Sequence, residues 1–255
     1  MSQSIRRLIA PLLAAGLVLS PAAWASGESH LYLLDNSLND VMGGPSLVSY
    51  GGSITAAGYS FTAGGSGLGL SNVLTDNDYT IDMSFSFSEL SAYRRIVAFK
   101  SPDSDNGLYT HSLTPAGSSG VTNAALNFYR GAGYPELFVE GASNVFVLNT
   151  PTRVTLTRSS VGTLTGYVNG AQQFSFDDAN GQALFNGPES IARFFDDESQ
   201  VEDSTGTASY IRIYDTALSG AQVAALAAPV PEADTYALML LGIGLVSFAS
   251  RRRAP

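Results

Sequence analysis

From Tyr79 the apolar positions alternate strictly: Tyr79, Ile81, Met83, Phe85 and Phe87 stand apart, with Asp82, Ser84 and Ser86 between them. A period of two marks a strand with one face in a core and one toward solvent. Shorter apolar segments repeat the theme at Ile54 to Phe61, Ile96 to Phe99, Leu126 to Tyr129, Val145 to Leu148, Val154 to Leu156 and Ile211 to Ile213, with Gly, Asn, Asp and Ser in the stretches that separate them. Asn169-Gly170 lies between Tyr167-Val168 and Phe174-Ser175-Phe176. Both central residues tolerate positive φ, so this is a tight hairpin. Helix is signalled only near the end, where Ser219 caps, Gln222 answers three residues on, and Val223 with Leu226 supply an apolar face. Many short strands without a βαβ rhythm predict an all-β fold, an antiparallel β-sandwich or jelly roll.

The two ends break this pattern. Arg6 and Arg7 precede an apolar run from Leu8 to Leu19, and Ala23 and Ala25 put small residues at −3 and −1 of a cleavage site before Ser26. That is the layout of a secretory signal peptide, expected over residues 1–25. The apolar run is shorter than the roughly 20 residues that a membrane span needs. Cleavage there removes Trp24, the chain's one tryptophan. At the other end Pro231-Glu232 leads into an apolar stretch from Tyr236 to Ala249, and Arg251, Arg252 and Arg253 follow at once. Positive flanking charge fixes orientation, so a short hydrophobic helix is expected to hold the domain on the far side of the inner membrane. Gly242 and Gly244 weaken that helix, which suits a transient anchor.

The order of Pro-Glu motif, apolar segment and arginine cluster resembles the PEP-CTERM sorting signal of Gram-negative bacteria that make exopolysaccharide. The resemblance covers 229–255 and implies processing by an exosortase, followed by delivery to the cell surface or extracellular matrix. Where the family usually has a second proline, this chain has Ala233.

The domain between, 26–228, carries a second resemblance. Gly166-Tyr167-Val168-Asn169-Gly170, then Ile211-Arg212-Ile213-Tyr214 and Leu218-Ser219, follow the order found in laminin-G-like domains of the concanavalin A-like lectin/glucanase superfamily. The opening Leu33-Leu34-Asp35-Asn36-Ser37-Leu38-Asn39-Asp40 resembles the start of such domains. These motifs imply the fold, which hosts lectins, adhesins and glucanases alike.

Charge narrows the partners. Of 255 residues, 22 are acidic and 13 basic, and between Gly27 and Ala228 there are 20 acidic and 8 basic side chains. One lysine, Lys100, and seven arginines give no basic patch for a nucleic acid. Cysteine is absent, which removes disulfides and thiolate chemistry. The two histidines, His30 and His111, have no second histidine at ligand spacing. No Gly-x-Ser-x-Gly elbow occurs. Glycoside hydrolysis needs two carboxylates on one face. Glu136 and Glu140 are the one such strand pairing, and no catalytic residue is assigned.

Two candidate sites remain. Asp196-Asp197-Glu198 with Glu202 and Asp203 crowd five carboxylates into eight residues. Such crowding invites a cation, and laminin-G-like domains often hold calcium at a loop rim, so Asp196 and Asp197 are the candidate calcium ligands. Tyr210, Arg212 and Tyr214 share one side of their strand, and aromatic rings beside a cation form a platform for a sugar. The expected protein is therefore exported and non-enzymatic, acting at the cell surface or in the extracellular polysaccharide matrix and binding glycan with calcium support. A polysaccharide-cleaving enzyme on the same scaffold and a protein-binding adhesin are the alternatives.

Overall fold

The computed structural model describes residues 27–99, 106–112, 124–131, 137–186, 190–197 and 200–226. The signal segment, the sorting tail, Glu136 and Glu198 lie outside the described residues. Fifteen strands and one short helix follow in order. They are β1 (Glu28–Tyr32), β2 (Val48–Ser49), β3 (Ser53–Thr55), β4 (Gly58–Phe61), β5 (Leu68–Ser71), β6 (Tyr79–Phe87), β7 (Tyr93–Ala98) and β8 (Asn106–His111). Then come β9 (Ala125–Arg130), β10 (Leu137–Glu140), β11 (Thr152–Arg158), β12 (Thr163–Val168), β13 (Ala171–Asp177), β14 (Ile191–Phe194), β15 (Gly206–Tyr214) and α1 (Gly220–Ala225).

The strands form two antiparallel sheets packed face to face. The first runs β13-β12-β11-β6-β15-β4-β3, with β1 beside β15, and the second runs β10-β9-β8-β7-β14-β5-β2. Neighbours in sequence are mostly neighbours in space, but β6 pairs with both β11 and β15, which ties the middle of the chain to its end. The alternation on β6 is realised: Ile81, Met83, Phe85 and Phe87 enter the core while Thr80, Asp82, Ser84 and Ser86 face the other way. From the opposite sheet Ile96, Val97, Leu108, Leu126, Phe128 and Phe194 complete that core.

The expected hairpin is present, with Asn169 at φ 51° and Gly170 at φ 83°, the paired positive values of a type I′ turn. Its Asn169 Oδ1 also accepts the Arg153 backbone N–H at 3.0 Å. The capping box at Ser219 and Gln222 is closed in both directions. Val223 on α1 is buried with Tyr167, Tyr214 and Leu218, and the Arg153 guanidinium donates to the Val223 and Leu226 carbonyls that end the helix.

Two segments differ from the sequence reading. Ile54 to Phe61 is not one strand but a hairpin, β3 and β4, because the chain turns at Ala56-Ala57, with Gly58 at φ 128° opening β4. Val145 to Leu148 forms no strand. It is the connection between β10 of the second sheet and β11 of the first, and it is apolar because Phe146 plugs the open end of the sandwich against Phe85.

Asp40 fixes the crossing from β1 to β2. Its Oδ1 accepts from the Leu31 and Met42 N–H groups, and its Oδ2 accepts from Gly44 N–H and meets His30 Nδ1 at 2.7 Å. Burial alone would raise its pKa, but these hydrogen bonds outweigh burial and hold the carboxyl below its ordinary value. A depressed folded-state pKa gives stability that is present above the unfolded value, about 3.9, and is lost as pH falls through the folded one. Asp40→Ala is expected to cost about 3 kcal/mol by leaving buried N–H groups unpaired. Urea unfolding as a function of pH checks both points, because the variant should lose part of the acid-induced drop in stability.

Candidate functional site

On the second sheet the inward residues Leu108, Leu126 and Phe128 leave their alternate neighbours pointing away from the core. Those neighbours are Tyr109 and His111 on β8 and Asn127 and Tyr129 on β9. The same alternation turns Phe138 and Glu140 outward on β10. β7 adds Tyr93 and Arg95, because a bulge between Arg95 and Val97 sends both Ile96 and Val97 into the core and resets the alternation. Register then brings these residues together: Tyr93 opposite His111, Arg95 opposite Tyr109, Tyr109 opposite Asn127, and Phe138 opposite Tyr129.

The result is an aromatic cluster spread across four strands. Tyr93 stacks on His111 with centroids 4.4 Å apart and lies 5.8 Å from Tyr109 and 6.1 Å from Tyr129. Phe138 meets the His111 ring edge-on at 5.3 Å. Glu140 Oε2 and His111 Nδ1 share a hydrogen bond. Tyr109 is buried beneath its neighbours, Tyr93, His111 and Tyr129 are half-buried, and Phe138 is 44% exposed. Rings held edge to face on a hydrogen-bonded sheet keep their shape without a ligand.

Arg95 braces this cluster. Fully buried, its guanidinium lies 4.6 Å from the Tyr109 ring centroid. Asp197 Oδ1 accepts from its Nε at 3.1 Å and its Nη2 at 2.5 Å, and Glu202 stands 3.8 Å away. Asp203 accepts from the Asp197, Gly64 and Gly65 N–H groups. Burial nevertheless pushes the Asp203 carboxyl above its ordinary value. Asp196 is ion-paired with Arg193, whose guanidinium lies flat on Tyr50 at 3.5 Å.

The expected calcium ligands therefore face arginines. Asp196 and Asp197 each give their charge to a guanidinium, and among the described residues no group of three or more acidic or histidine side chains is arranged to hold a metal. As arranged, this donor set does not fit a calcium ion. The crowding visible in the sequence is relieved by Arg95 and Arg193 and by backbone N–H groups.

Tyr210, Arg212 and Tyr214 do share one side of β15, but that side is covered, with exposures of 4%, 6% and 0%. Asp82, fully buried on β6, accepts from Tyr210 Oη at 3.1 Å, Arg212 Nη2 at 2.8 Å and Thr155 Oγ1 at 2.6 Å. Tyr214 lies beneath α1. Burial pushes both phenols well above their ordinary pKa. The stripe is a packed ionic seam between strands, with no ring face open to a sugar.

The aromatic cluster was not singled out by sequence reasoning, although a signal for it exists. Leu108-Tyr109-Thr110-His111, Leu126-Asn127-Phe128-Tyr129 and Leu137-Phe138-Val139-Glu140 each place aromatic or polar residues at alternate positions. Read as strands of one sheet, they assemble the face. Glu140 does sit there; its sequence partner Glu136 lies outside the described residues.

Breaking one member of a buried ion pair leaves an uncompensated charge, so Asp197→Ala is expected to destabilise the protein by about 3–5 kcal/mol, and the paired change Arg95→Met with Asp197→Leu by much less. Chemical denaturation of both variants checks this. Because Asp196 and Asp197 are already paired, the thermal midpoint is expected to be the same in millimolar calcium and in chelator, as scanning calorimetry would show; a bound ion would raise it.

Comparison with known proteins places these features. Residues 62–224 match the concanavalin A-like lectin/glucanases superfamily, and residues 229–253 match the PEP-CTERM protein-sorting motif, which marks the chain for export. No curated protein is a significant match. Among solved structures, domain 4 of AbnA, an extracellular arabinanase from Geobacillus stearothermophilus in complex with arabinotriose, superposes with a TM-score of 0.54 at 21% identity, covering 79% of this chain and 98% of that one. The botulinum neurotoxin serotype D binding domain gives 0.53 at 15% identity, covering 78% of this chain and 50% of that one. Trypanosoma rangeli sialidase gives 0.57 at 15%, covering 81% of this chain and 34% of that one. The chain thus spans half of the toxin domain and about a third of the sialidase, and at these identities the likeness is one of fold. With its two antiparallel sheets and a profile match over most of its length, the chain belongs to the concanavalin A-like lectin/glucanases superfamily.

Proposed function

We propose that this protein is an exported glycan-binding module, sorted through its C-terminal signal by an exosortase and displayed at the cell surface or in the extracellular polysaccharide matrix. The single observation that carries the binding reading is the rigid cluster of Tyr93, His111, Tyr129 and Phe138 on the outward face of the second sheet. Pyranose rings present apolar faces and equatorial hydroxyls. Phe138 and Tyr129 offer the stacking surface, and the His111–Glu140 pair offers donors and acceptors at its margin. Because the cluster is already braced by Arg95, little side-chain freedom is lost on binding. The same fold holds arabinotriose in AbnA domain 4, which is a precedent for the scaffold and not for the residues.

Binding is favoured over cleavage by the carboxylate geometry. Glycosidic hydrolysis needs two carboxyl groups flanking the bond. Among the described residues of β7 to β10, Glu140 is the one carboxylate, and it is engaged with His111.

The test uses the full chain and polysaccharide purified from the producing cells. Truncating a stacking residue is expected to cost about 1–2 kcal/mol, a weakening of about five- to thirtyfold, for Phe138→Ala and for Tyr129→Ala. Tyr210→Phe, on the covered face, is expected to leave affinity unchanged. Isothermal titration measures affinity, and the viscosity of the same polysaccharide is followed alongside. Loss of viscosity that Glu140→Gln abolishes would replace the binding reading with an enzymatic one.

A further inference from the structure

The distribution of charge over the molecule bears on which glycans this face accepts. All seven arginines among the described residues are buried or half-buried. Most of them stand on carboxylates: Arg94 on Glu89, Arg95 on Asp197, Arg158 on Asp178, Arg193 on Asp196 and Arg212 on Asp82. Arg153 stands 3.9 Å from Asp82 and closes the carbonyl end of α1. Acidic side chains are divided: Asp40, Asp82, Asp178, Asp196, Asp197 and Asp203 are buried, whereas Asp35, Asp76, Glu140, Asp177 and Asp215 are exposed. The basic residues are thus consumed as internal braces, and the described surface presents negative charge.

On the aromatic face the asymmetry is sharpest. Its one buried cation, Arg95, is already held by Asp197 beneath the Tyr109 ring, while Glu140 reaches solvent beside Phe138. A uronate or sulfate stacked on Phe138 would meet that carboxylate and no exposed guanidinium among the described residues. Neutral sugars meet no such penalty, since stacking and hydroxyl hydrogen bonds need no countercharge.

We infer that the face on β7 to β10 selects neutral polysaccharide chains and rejects polyuronates and sulfated glycans. This rests on the glycan-binding reading above and adds the class of ligand to it. Like-charge juxtaposition suppresses wrong partners. The repulsion acts over about 8 Å at physiological ionic strength and fades as salt rises, whereas stacking on Phe138 is insensitive to salt.

Affinity gel electrophoresis of the full chain tests the inference, with arabinan, mixed-linkage β-glucan and galactomannan as neutral probes and alginate and polygalacturonate as anionic ones. At about 50 mM salt, at least one neutral polymer is expected to retard the protein with an affinity at least about tenfold above that for either polyuronate. Exposed Glu140 can be changed without disturbing the core, and Glu140→Lys is expected to raise retardation by alginate about tenfold. Phe138→Ala is expected to weaken retardation by the neutral polymer about tenfold. Equal or stronger retardation by a polyuronate at low salt would overturn the charge selection and leave glycan binding standing. Retardation by none of the five polymers would overturn the glycan reading and this inference with it.

Discussion

Phe195 follows β14 with a backbone φ of 60°, a left-handed conformation that a bulky residue adopts only when its surroundings hold it there. Its ring lies flat on Phe61 of the opposite sheet, centroids 4.5 Å apart and planes 4° from parallel, with Phe85 and Phe87 packed edge-on around it. The turn that drives this ring into the core also throws the next two residues outward, where Asp196 reaches Arg193 and Asp197 reaches Arg95. Inter-sheet packing and the bracing of the outward face are consequences of one backbone conformation. Without the buried ring there is no reason for Asp197 to reach the Arg95 guanidinium that lies against Tyr109.

From that joint the chemistry of the outer face follows. Arg95 is fully buried, and a buried guanidinium is tolerable only with its hydrogen bonds filled. Asp197 Oδ1 takes two of its N–H donors and the Asn106 carbonyl a third, so the Tyr109 ring has a fixed floor, and Tyr93 and Tyr129 lean on that ring with His111 stacked on Tyr93. The first sheet uses the same device for a different end. There Asp82 gathers Tyr210, Arg212 and Thr155 into a closed seam, and α1 covers the adjoining Tyr214. One sheet hides its polar residues and the other leaves aromatic ones open, so the two outward faces are not equivalent.

What the sequence made legible was local. The alternation on β6, the Asn169-Gly170 turn and the Ser219 cap are each decided within a few residues, and each appears in the structure where the pattern places it. The Gly-Tyr-Val-Asn-Gly and Ile-Arg-Ile-Tyr segments carried the fold because they are the hairpin and the central strand of one sheet. What the sequence left hidden was long-range. The partner of Asp197 is 102 positions away, so acidic crowding does not reveal that Asp197 faces Arg95. Tyr210, Arg212 and Tyr214 share a face as their spacing implies, but spacing does not say that α1 and Asp82 close that face. The aromatic cluster needs four strands between residues 93 and 140 brought into register, and each contributes only two residues to it.

The central claim, that ligand meets the outward face of β7 to β10 and not the covered face of β15, is tested most directly by aromatic-ring NMR of the full chain during titration with a bound polysaccharide fragment. Resonances of Tyr93, His111, Tyr129 and Phe138 should shift together along one saturation curve, while those of Tyr210 and Tyr214 stay in place. Shifts confined to Tyr210 and Tyr214, with the Phe138 ring unmoved, would contradict the account.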